Sequence, residues 1–96
     1  MTVEVEVRYY ALIRGITKKK TEKMELRQRE SVKNLLHHLI EHYGERLEHY
    51  IYDDDGEPRG YLTYMLNGEN IFGIKGFETR LRGGDTLSIL PPIGGG

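Results

Sequence analysis

A chain of 96 residues carries 14 Lys+Arg against 15 Asp+Glu, a formal net charge of −1, with 38% hydrophobic and 30% charged residues. That length fits one small domain, and the balanced charge gives neither the basic excess of a nucleic-acid binder nor the signature of disorder. The lack of Cys excludes disulfides, thiolate metal sites and thiol nucleophiles, and no apolar run approaches the roughly 18 residues of a membrane span. The opening Met1-Thr2-Val3-Glu4-Val5 is acidic and alternating and does not read as a signal peptide. A cytoplasmic domain binding neither nucleic acid nor membrane is the expectation.

Val3, Val5, Val7 and Tyr9 alternate with Thr2, Glu4, Glu6, Arg8 and Tyr10, a period-two pattern that predicts a half-buried first strand. The pattern breaks near Gly15, Lys18-Lys19-Lys20 follows, and Met24 and Leu26 alternate with charged neighbours in a weaker second strand. A hairpin with a short polar link is the economical reading. Ser31 is a candidate N-cap. Behind it Val32, Leu35, Leu36, Leu39, Ile40 and Tyr43 share one helical face, and Gly44 stands where the helix should end. Leu47, Tyr50 and Ile51 suggest a further helical turn, and Asp53-Asp54-Asp55-Gly56-Glu57-Pro58 reads as a loop. Tyr61 to Leu66 reads as a third strand, Asn67-Gly68 as a hairpin turn before Ile71 and Phe72, and Gly83-Gly84-Asp85 as another turn. Leu87 and Ile89 alternate in a closing strand that Pro91-Pro92 should terminate. With room for one main helix, the expected fold is α+β, a mixed sheet grasping that helix.

Two motifs suggest metals and are read as inert. His38-Leu39-Ile40-Glu41-His42 matches H-x-x-E-H, which in some metallopeptidases sets two zinc ligands one helical turn apart. A catalytic site also needs a third ligand, a supporting shell and a cleft, and these histidines fall beside the apolar stripe as boundary residues do. The adjacent aspartates lack the alternating ligands and distal Glu of a calcium loop, so a solvated turn is expected. Lys18-Lys19-Lys20 reads as a solvated loop tip. No nucleophilic triad, phosphate loop or carboxylate pair stands out.

The tail carries the remaining chemistry. Residues 1–92 read as the domain and 93–96, Ile93-Gly94-Gly95-Gly96, as a flexible tail. Fraying is one reading. The other is threading of a terminal carboxylate into a partner's active site, since Pro91 to Gly96 can span on the order of 20 Å when extended. That carboxylate, with a typical pKa of about 3.3, is an anion that resists nucleophiles until activated, most simply by adenylation.

The element order with its glycine end resembles the ubiquitin-like sulfur carriers of the MoaD/ThiS type. It is most similar to the small subunit of molybdopterin synthase and the small archaeal modifier proteins. The matching segments are Val5-Glu6-Val7-Arg8-Tyr9-Tyr10-Ala11 with Arg14, Ser31-Val32 before Leu35-Leu36, Leu66-Asn67-Gly68, Gly84-Asp85-Thr86-Leu87 and Leu90-Pro91-Pro92-Ile93-Gly94-Gly95-Gly96. The triple glycine and the length of the Ile51–Gly60 segment depart from many relatives. The resemblance implies a β-grasp fold and a non-catalytic carrier subunit. It further implies that Gly96 is adenylated by a ubiquitin-activating-enzyme-like adenylyltransferase and converted to a thiocarboxylate. Gly94 and Gly95 would provide passage through the partner's channel. The chain itself would bind no cofactor, ATP being used by the partner. Sulfur would pass to a pterin precursor with the large synthase subunit. In the alternative reading Gly96 is joined to target lysines, and in a third the chain is a binding module with an inert tail. Strand alternation predicts that Tyr10, Leu90, Tyr61 and Met65 occupy the sheet face away from the helix and bind the partner.

Overall fold

A computed structural model describes residues 1–92. The expected tail at 93–96, with Gly94, Gly95 and Gly96, lies outside the described residues. Strand β1 (Thr2–Tyr9) buries Val5, Val7 and Tyr9 and turns the alternate residues outward, as its alternation requires. It pairs antiparallel with β2 (Thr21–Arg27), in register from Thr2↔Arg27 to Arg8↔Thr21.

The link between these strands is not a plain polar loop. Residues Leu12–Thr17 form a short helix, α1, entered through Ala11 at φ 57° and closed by Lys18 at φ 64°, whose N–H reaches the Arg14 carbonyl. Its cause is an inward set at helical spacing, Ile13 and Thr17 buried one turn apart with Ile16 packed against the core between them. The exposed Leu12 beside them obscures that periodicity in the sequence.

Helix α2 (Val32–Tyr43) begins in a capping box: Ser31 Oγ accepts from the Asn34 amide at 3.2 Å and Asn34 Oδ1 accepts from the Ser31 amide at 2.9 Å. Val32, Leu35, Leu36 and Leu39 are buried, with Ile40 and Tyr43 packed at the margin. Gly44, at φ 86°, ends α2 with a hydrogen bond to the Ile40 carbonyl and redirects the chain into α3 (Glu45–Ile51), which buries Leu47 and Ile51. Strand β3 (Thr63–Leu66) begins two residues later than the pattern suggests. Asn67 and Gly68, at φ 52° and 86°, make the tight turn into β4 (Glu69–Asn70). Strand β4 stops there because the Asn70 side chain accepts from the Phe72 amide and caps a 3₁₀ turn over Ile71–Gly73; a second such turn covers Gly76–Glu78.

Strand β5 (Thr86–Leu90) lies between β1 and β3, parallel to the first and antiparallel to the second, giving the order β2-β1-β5-β3-β4. One face of this mixed sheet carries the core, where Val7, Tyr9, Leu87, Ile89, Leu62 and Tyr64 meet the buried face of α2. The expected α+β layout is the observed one.

At the margin of the core, Glu22 ties three elements together. Its carboxylate accepts from the Tyr9 hydroxyl, from Tyr43 at 2.6 Å and from Lys19 Nζ at 3.2 Å. Burial by itself would push the Glu22 pKa up, but the hydrogen bonds from Tyr43, Tyr9 and Lys19 outweigh it and hold the group below the usual carboxylate range. Burial, followed by the Glu22 contact, pushes the Tyr9 phenol in the opposite direction, far above normal. Replacing Glu22 by Ala leaves the buried Tyr9 hydroxyl without its acceptor, so urea unfolding at pH 7 should show a loss of about 1–3 kcal/mol. Because the folded pKa is depressed, the wild-type advantage should be complete above the unfolded value of about 4.3 and disappear as pH falls through the lower folded value.

Candidate functional site

The parallel β1–β5 pairing sets Tyr9 beside Ile89, so both strands finish at the same end of the sheet, and the antiparallel β3 begins there with Thr63 opposite Leu90. Strand β5 is central, and the chain leaves the middle of the sheet through Pro91-Pro92, neither of which can donate to a neighbouring strand.

On the face away from α2, Tyr10, Met65 and Leu90 line one open groove of ≈ 380 Å³. All three are half-buried. The groove continues over Arg8, Thr86 and Ser88, so an apolar wall near the exit grades into a polar floor. Arg8 is held by Glu6, with Nε 2.7 Å from the carboxylate. Arg14 packs its guanidinium 5.5 Å from the centre of the Tyr10 ring and donates from Nε to the Tyr9 carbonyl at 2.9 Å, fixing the turn that leaves β1. The lower end of β5 is fixed as firmly. Asn67 donates to Asp85 at 2.9 Å and accepts from the Thr86 amide at 2.9 Å, while the Asp85 carbonyl receives the Glu6 amide at 2.9 Å. The Asn-Gly and Gly-Asp segments thus set the register of the strand that delivers the tail.

Tyr61 does not join this groove. It lies in the turn before β3, 49% exposed, close enough to Tyr50 to contribute to that phenol's raised pKa after burial. The sheet ladder that carries the groove face begins only at Thr63. Arg8, Thr86 and Ser88 were missed because their polarity argues only for exposure; their common parity with Tyr10 and Leu90 is the signal that marks the shared face.

The two histidines of the H-x-x-E-H segment are occupied otherwise. His38 Nε2 stands 3.1 Å from Glu30 Oε1, and His42 sets its ring edge-on against Tyr43 at 4.6 Å between centroids. Among the described residues no cluster of three His, Cys, Asp or Glu is arranged to hold a metal. The aspartate loop is a self-contained turn: Asp53 Oδ1 accepts from the amides of Asp55 and Glu57 at 2.9 and 3.0 Å. No helix among the described residues is long and apolar enough to cross a membrane.

A family model described as the ThiS family matches residues 7–96, from the middle of β1 through the glycine tail. The chain belongs to the ThiS family. Its sheet and helices are the ubiquitin-like β-grasp fold, with sulfur carriers and protein modifiers as relatives. Small archaeal modifier protein 3 of Haloferax volcanii is 28% identical over 94 residues, covering 98% of this chain and 100% of that protein. An Archaeoglobus fulgidus protein provisionally named a sulfur carrier is 40% identical over 42 residues, 44% of this chain and 48% of that one. The solution structure of small archaeal modifier protein 1 from Methanosarcina acetivorans superposes with a TM-score of 0.82 at 29% identity, covering 100% and 99% of the two chains.

Exchanging both His38 and His42 for Gln in this ThiS-family chain should shift unfolding stability by less than about 0.5 kcal/mol, as exposed substitutions usually do. Thermal unfolding checks the magnitude. Stoichiometric zinc in the purified protein, lost on the double substitution, would overturn the inert reading.

Proposed function

We propose that the chain is a sulfur carrier whose reactive group is the carboxylate of Gly96, serving molybdopterin synthesis. The observation that carries this reading is the family match running through the glycine tail, with supporting geometry in a central strand that ends beside the apolar wall of a groove. A carboxylate oxygen of Gly96 attacks the α-phosphorus of ATP held by a ubiquitin-activating-enzyme-like adenylyltransferase, forming the acyl-adenylate and releasing pyrophosphate. Hydrosulfide supplied at the partner's site then attacks the acyl carbon and AMP departs as the leaving group; loss of the remaining S–H proton leaves the sulfur on Gly96 as a thiocarboxylate. Gly94 and Gly95, lacking Cβ, let the backbone enter a narrow channel. ATP belongs to the partner, and the large subunit of molybdopterin synthase presents the pterin acceptor. Tyr10, Met65 and Leu90 form the docking wall beside the exit.

A second reading has its own support in the full-length similarity to a small archaeal modifier protein: the same acyl-adenylate ends as an isopeptide on target lysines. The two readings share activation and differ in the final nucleophile. Intact mass after incubation with the activating partner and a sulfur source distinguishes them, as one oxygen replaced by sulfur or as conjugates of higher mass.

Deleting Gly96, or adding a residue after it, should lower pyrophosphate exchange by at least about 100-fold, because a misplacement of about 1 Å can cost that much and one residue spans about 3.5 Å. Exchange at the wild-type rate by the deletion variant would sink the proposal. Tyr10→Asp and Leu90→Asp should each weaken complex formation with the activating partner while preserving the circular dichroism spectrum. Unfolding of both variants would refute their assignment to a docking wall.

A further inference from the structure

Strand β2 is the long open edge of the sheet, seven residues against the two of β4 at the other side. Its bonding pattern follows from two hydrogen bonds at its limits, Tyr9 N–H to the Lys20 carbonyl at 2.8 Å and Gln28 N–H to the Met1 carbonyl at 3.3 Å. Antiparallel pairing alternates, so Glu22, Met24 and Leu26 direct their backbone groups at β1. Thr21, Lys23, Glu25 and Arg27 direct theirs away from the sheet, and their side chains are exposed.

We infer that this edge pairs antiparallel with β2 of a second copy of the chain, in the register whose two-fold axis passes through Met24. Only residues with outward backbone groups can bond across the axis, so neighbouring registers differ by steps of two. Centred on Met24, Lys23 faces Glu25 of the second copy, Glu25 faces its Lys23, and Thr21 faces Arg27. Centred on Lys23, two lysines oppose each other. Centred on Glu25, two glutamates oppose each other and Lys23 meets Arg27. Directly opposed like charges are destabilising and opposite charges favourable, so one register is selected and both neighbours are penalised.

An unrelieved feature within one chain points the same way. Glu25 sits directly across from Glu4 of β1, a like-charge pair, and among the described residues it has no cationic partner. Lys23, whose side chain is 68% exposed, approaches Glu4 only to 3.9 Å. In the pair of chains, Lys23 of the second copy supplies the missing charge. A contact of one short strand falls below the roughly 1,200 Å² of stable complexes, so the association is weak and reversible, in the micromolar-to-millimolar range. It goes beyond the sulfur-carrier reading and does not depend on it, since β1 separates β2 from the β5 exit.

Sedimentation equilibrium over a concentration series reaching the millimolar range tests it. The wild type should show a monomer–dimer equilibrium. Lys23→Glu and Glu25→Lys should each weaken it by at least about tenfold, since two symmetry-related pairs turn repulsive, and the double variant should restore it. Circular dichroism confirms that each variant is folded. A symmetric cross-link gives an independent readout in a chain without cysteine. Met24 would meet its own copy as a non-hydrogen-bonded pair with Cα atoms about 4.5 Å apart, within disulfide reach. Met24→Cys should therefore oxidise to a covalent dimer much faster than Lys18→Cys. A wild type monomeric throughout, single variants that associate as well as the wild type, a double variant as weak as the singles, or equal oxidation of the two cysteine variants would each overturn the inference.

Discussion

The parallel pairing of β1 with β5 is the constraint from which the rest of the molecule is arranged. It joins residues as distant as Glu6 and Thr86, and parallel neighbours cannot be linked by a tight turn. The intervening chain must cross over one face, and it does so with α2 and α3. That face becomes the core, and the other is left open. The same pairing brings Tyr9 and Ile89 together at one end of the sheet, which is why a groove and the emerging chain are neighbours. The Asn67–Asp85–Thr86 hydrogen bonds make the pairing specific by fixing where β5 begins.

Polar groups within this core are treated unequally. The Tyr9 hydroxyl finds the Glu22 carboxylate, which also gathers Tyr43 and Lys19, so an ionised group at the sheet margin is offset by three donors. Tyr64 is buried with no hydrogen-bond partner for its hydroxyl among the described residues, and burial pushes its phenol pKa well above normal. Its ring compensates through packing, set edge-on to Phe77 at 5.2 Å. One tyrosine therefore links elements through its oxygen, the other through its ring.

Much of this was legible in the residues because burial imposes a period. Val5, Val7 and Tyr9 reveal a strand with one buried face, and the spacing from Val32 to Tyr43 reveals α2 with its Ser31 cap. The Asn67-Gly68 turn was readable since few other pairs accept two positive φ values. Helix α1 was hidden because its inward positions, Ile13, Ile16 and Thr17, span barely one turn, one of them is polar, and the apolar Leu12 beside them points outward. For the groove, alternation located Tyr10, Met65 and Leu90, but it overreached at Tyr61, where the strand has not yet begun. Its polar floor of Arg8, Thr86 and Ser88 shares that parity, which places the residues on the face, but polar residues on an outer face look alike whether or not they surround a depression.

The parallel placement of the terminal strands also has a mechanical consequence. Strand β1 starts at one extremity of the described chain and β5 finishes at the other, side by side and pointing the same way. Tension drawing Thr2 and Leu90 apart slides the two strands along each other. Their hydrogen bonds are then loaded in shear, all at once, rather than peeled open one at a time. A protein held by its closing strand can thus be pulled upon firmly while the sheet behind the grip stays closed.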